Sequence, residues 1–86
     1  MIELTREDYD RVVRRAVAFF MDADDDAVDM DAIMREGLGL EEHEVEDVYR
    51  VTEDCFGVMF DSHVRDVIQT PDQIVAYLEK ALGTCT

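Results

Sequence analysis

Apolar residues in this chain recur three and four positions apart within separate segments, and no run alternates long enough to read as a strand. That pattern restricts the fold to packed helices. In the first segment Tyr9, Val12, Val13, Ala16, Val17 and Phe20 share one helical face. Thr5 and Asp8 supply a variant capping box at its start, and the helix is predicted to end near Met21. A second helix is predicted from about Glu42 to Cys55, with Val45, Val48, Tyr49, Thr52, Cys55 and Phe56 facing inward and Gly57 as its stop. Glu41, Glu42 and Glu44 crowd its start, where the helix dipole favours negative charge. Asp61 caps a short third helix carrying Val64, Val67 and Ile68. Thr70-Pro71 followed by Gln73 opens the last helix, whose inner face holds Ile74, Tyr77, Leu78, Ala81 and Leu82, and Gly83 ends it.

Between the first two helices lies a long connection, residues 22–40. A stretch of that length inside a small domain needs anchors or a turn of helix of its own, and Val28, Ile33, Met34, Leu38 and Leu40 are the candidates. The expected architecture is all-α: three main helices and one short one around a single core, in one domain of residues 1–86. Val48, Phe56, Val67, Ile74 and Leu78 are expected to meet in that core.

Charge narrows the function. Asp and Glu number 22 against 8 Lys and Arg, a formal charge of −14. Such a surface repels a phosphate backbone and an anionic membrane, so nucleic acid and membranes are not expected partners. It attracts a protein with a basic surface. No apolar stretch is long enough to span a bilayer, no apolar signal region opens the chain, and the cytoplasm is the expected location of a monomer. Cys55 and Cys85 fit neither a disulfide framework nor a zinc site; Cys55 is expected to pack as a small apolar residue and Cys85 to lie in a loose tail.

These residues bear on three chemistries. Asp22, Asp24 and Asp26 stand at the first, third and fifth positions of a calcium loop, but Ala27 takes the glycine position and Ile33 that of the bidentate glutamate. Weak, nonspecific cation binding at Asp22, Asp24 and Asp26 is the expectation. His43, His63 and Cys55 lack the spacing of a metal site or a nucleophile pair. With no nucleophile constellation and little length for a pocket, the chain is not expected to be an enzyme.

From Leu38 onward the chain resembles the acyl carrier proteins. The run Leu38-Gly39-Leu40-Glu41-Glu42-His43-Glu44-Val45-Glu46-Asp47-Val48 is similar to the family pattern Leu-Gly-x-Asp-Ser-Leu-Asp leading into an apolar-acidic helix. The similarity continues through Glu53, Phe56, Gly57, Val58 and Phe60, and through the ending Thr70-Pro71-Asp72-Gln73-Ile74-Val75-Ala76-Tyr77-Leu78. It implies a small four-helix bundle with a long first loop and a place in fatty-acid, polyketide or peptide assembly. It also implies an acidic second helix that docks on a basic biosynthetic enzyme, through Glu41, Glu42, Glu44, Glu46, Asp47 and Glu53. One departure matters most. Carriers hold phosphopantetheine on a serine at the start of that helix, and the gapless match puts Glu42 there, with Glu41 and His43 replacing its Asp and Leu neighbours. A carboxylate cannot form that phosphodiester, so no cofactor is expected. The alternatives are a working carrier loaded with phosphopantetheine at Ser62, the single serine of the chain, or an acidic regulator or divalent-ion-binding protein unrelated to acyl transfer.

Overall fold

The structure is a computed structural model that describes residues 4–83. Among the described residues four helices form: α1 over Arg6–Met21, α2 over Glu42–Phe56, α3 over Ser62–Val67 and α4 over Pro71–Leu82, with a single 3-10 turn at Asp25–Ala27. The all-helical bundle follows the sequence pattern, and α1 packs against both α2 and α4. Cys85 lies outside the described residues.

Each boundary has a local cause. Thr5 is extended, and its hydroxyl accepts the Asp8 N–H while the Asp8 carboxylate accepts the Thr5 N–H at 2.8 Å. Thr70 and Gln73 repeat this reciprocal arrangement at α4, with Pro71 in the first helical position where no N–H is needed. At the far end of α2, Gly57 takes φ 68°, a left-handed conformation that costs glycine nothing. Asp22 does the same for α1 at φ 55° without being glycine; aspartate is among the few residues that enter this region readily.

The Thr5–Asp8 box makes part of the stability acid-sensitive. The Thr5 backbone N–H, and then its hydroxyl, hold the Asp8 carboxyl below its ordinary value of 3.8. A depressed folded pKa adds stability that is complete above the unfolded value and is lost as pH falls through the folded one. Asp8→Asn should therefore flatten the fall in melting temperature below about pH 4 relative to the parent chain. Equal acid slopes in the two proteins would show that the carboxylate contributes nothing.

The core gathers Tyr9, Val13, Val17, Val48, Tyr49, Ile74, Val75 and Leu78, all within 2% of full burial. The Tyr9 ring stands edge-on to Phe56 with centroids 5.3 Å apart, which sets the first turn of α1 beside the last turn of α2, antiparallel. Thr52, the one buried polar residue among those described, satisfies its hydroxyl within its own helix by donating to the Val48 carbonyl at 2.8 Å. Burial pushes the Tyr49 hydroxyl up to about 12, and that hydroxyl points to the Ile68 carbonyl.

The long connection is part of the core. Val28, Met30, Met34 and Leu40 are buried. Its backbone is stitched to the approach to α4: the Met34 N–H donates to Gln69 O, and the Asp72 N–H donates to Met30 O, both at 2.9 Å. Arg14 of α1 adds a third tie by donating to the Val28 carbonyl.

Several expected core positions fall elsewhere. Val67 is 60% exposed, because α3 ends there and the extended Ile68 that follows turns inward in its place. Cys55 is exposed, since the last turn of α2 aims Phe56 rather than Cys55 at Tyr9. Phe56 itself is only partly buried, as are Val12, Phe20 and Val64. Ala81 and Leu82 are exposed at the end of α4, and Ile33 is exposed on the connection while its neighbour Met34 goes in.

Candidate functional site

The start of α2 is built from four consecutive polar residues. Glu41 is extended and precedes the helix, and its N–H donates to the Glu44 carboxylate at 2.9 Å. Glu42 is the first helical residue, and its side chain is 78% exposed. Its one ionic neighbour among the described residues is Arg35, at 3.5 Å from the connection. His43 Nδ1 lies 3.4 Å from the Glu41 carboxylate, with both side chains exposed. Glu41, His43 and Glu44 bring their ligand atoms within 4.8 Å of one another, whereas Asp22, Asp24 and Asp26 are not gathered in this way. In that acidic loop Asp25 instead faces Arg15 at 3.6 Å.

The remaining α2 carboxylates differ in what they are free to do. Glu46 is paired with Arg65 of α3. Glu53 faces the same arginine at 3.5 Å and accepts the Phe60 N–H at 2.7 Å, so its side chain is only 19% exposed. Arg65 thus joins α3 to α2, and its guanidinium also stands 5.3 Å over the Tyr49 ring, within reach of a cation–π contact. Asp47 and Asp54 are in no ion pair among the described residues. Of the six acidic positions named from the sequence, Glu41 and Glu42 are exposed, Asp47 is half-buried and in no ion pair among the described residues, and Glu44, Glu46 and Glu53 are engaged within the fold.

Beside Glu42 a groove of ≈ 340 Å³ runs between the connection, α2 and α3, with Ile33, Met34, Val45, Tyr49 and Arg65 in its wall. Glu42 and Arg35 stand in the same wall. Ser62 is elsewhere. It is the exposed first residue of α3, behind the Asp61 cap whose carboxylate accepts the Val64 N–H at 2.9 Å, and α3 has only six residues. Sequence reasoning missed Arg65 as the tie between α2 and α3. The available signal was a lone arginine on a short helix that follows an acidic one. It also missed the Arg35–Glu42 pair, which no spacing rule brings together across the Gly37–Gly39 stretch.

No family model matches the chain, and no curated protein is similar enough to match it.

Proposed function

We propose that this chain is a carrier-like binding module that holds no prosthetic group and docks the acidic start of α2 on a basic partner enzyme of fatty-acid, polyketide or peptide assembly. The observation that carries this reading is Glu42. It occupies the first residue of a capped helix, where the family resemblance puts the carrier serine, and it is 78% exposed with Arg35 as its one ionic neighbour among the described residues. A phosphodiester at that place would be an anion at the positive end of the helix dipole; Glu42 puts a permanent anion there instead. Glu41 extends the negative surface just before the helix, and Asp47 adds charge about 140° around it, toward α1. Opposite charge accelerates encounter and fixes orientation, which suits transient docking on an enzyme.

Titrating the isotope-labelled chain with a carrier-recognising ketosynthase or phosphopantetheinyl transferase and following backbone resonances is the test. Shifts should concentrate on residues 41–47. In Glu41→Lys with Glu42→Lys they should vanish, or association should slow on the order of tenfold at low salt. Shifts that persist unchanged in the folded double variant, or none along α2 with either enzyme, would overturn the docking surface.

A further inference from the structure

Away from the α2 start, a second surface stands open between α1 and α2. Val12, Ala16, Phe19 and Phe20 of α1 and Val51 and Cys55 of α2 line a hollow of ≈ 460 Å³. Phe19 is 77% exposed and Val51 37%. A single exposed apolar side chain is ordinary, but here the exposed Phe19, Val51 and Cys55 adjoin the half-buried Val12 and Phe20 in one strip.

The rims of the strip carry opposite charge. On the α1 side stand Arg11 and Arg15, with side chains 66% and 75% exposed. Their own partners are loose, Asp8 at 3.9 Å and Asp25 at 3.6 Å. On the α2 side, Asp47 and Asp54 lie one turn either way from Val51, about 40° and 60° around the helix from it. Arg50 sits about 100° around, farther from the strip.

From this arrangement we propose that the α1–α2 strip is a self-association surface, on which a second copy of this chain docks about a two-fold axis running along the groove. A two-fold contact uses the same patch on both partners, so the patch must complement itself. With the axis along the groove, each α1 rim meets the other copy's α2 rim and arginine faces aspartate. With the axis across it, Arg11 and Arg15 would meet their own counterparts. With Tyr9 against Phe56 and the helices antiparallel, Arg11 comes level with Asp54, and Arg15 comes level with Arg50, between Asp54 and Asp47. Phe19 then enters the partner's hollow. The −14 charge of each copy opposes approach from a distance. At physiological salt that field is screened beyond roughly 8 Å, while the buried contacts are not. Dimerisation therefore strengthens as salt rises from about 10 mM to about 150 mM. This surface does not depend on the docking function of the α2 start; only Asp47 borders both.

Sedimentation of the chain from about 10 µM to about 1 mM protein at moderate salt, a range that spans weak specific association, tests this. A monomer–dimer equilibrium is expected, weakened at least tenfold in Phe19→Asp, a substitution on a side chain that the fold leaves in solvent. The pair Arg11→Asp with Arg15→Asp, and the pair Asp47→Arg with Asp54→Arg, should each remain monomeric alone and associate when mixed. A chain that is monomeric throughout overturns the proposal and leaves the strip to a different protein. A dimer indifferent to Phe19→Asp overturns it too, as does failure of the two charge-reversed variants to associate while both give the parent's helical spectrum.

Discussion

Replacing Leu78 by alanine should destabilise the chain by about 2–5 kcal/mol, the usual cost of emptying a large core position. Leu78 is fully buried, as are Ile74 and Val75 beside it, and α4 packs directly on α1. A domain of 86 residues commonly has about 4–13 kcal/mol in total at ~0.05–0.15 kcal/mol per residue, so this one change removes a large share of the margin. In a chemical denaturation series the midpoint should fall steeply while the slope stays constant. Leu78→Met, which keeps the volume, should cost less than about 1.5 kcal/mol. Val67→Ala serves as the contrast: it should lie within about 0.5 kcal/mol of the parent, because Val67 stands in solvent. A large loss at Val67 with a small one at Leu78 would contradict the described packing.

Met34→Ala should be nearly as damaging, about 2–5 kcal/mol, although it sits in no helix. Its side chain is 1% exposed. Its backbone is held on both sides, donating to Gln69 O and accepting from the Leu40 N–H, each at 2.9 Å. Emptying this site leaves a hole beneath the stitch between the connection and the start of α4. Amide hydrogen exchange at Met34 and Leu40 should rise with the loss of stability. Exchange at those amides and a denaturation midpoint both unchanged would show that the connection is a passive loop.

The helices were legible because their signals are local. Thr5 with Asp8 and Thr70-Pro71 with Gln73 each place a start by side-chain chemistry, and the observed caps use those same atoms. Gly57 and Gly83 place two of the ends. Burial was less legible where an element is short or ends. The three-and-four spacing that includes Val67 assumes the helix continues, whereas the chain leaves the helix at Ile68 and reverses which residue faces in. Cys55 failed for a related reason, since only the position of α1 decides which side chain of the last α2 turn is covered. The site itself depends on long-range partners. Nothing in the sequence spacing tells that Arg65 takes up Glu46 and Glu53 while Glu42 stays outward, because those pairs form only once α3 is folded against α2.

The proposed module would hold a glutamate where a carrier holds its cargo. Intact mass after co-expression with a promiscuous phosphopantetheinyl transferase tests it most directly. The mass of the unmodified chain is expected, with Glu42 exposed but unable to form a phosphodiester. A gain equal to one phosphopantetheine group would contradict it, and loss of that gain in Ser62→Ala would assign the cargo to the start of α3.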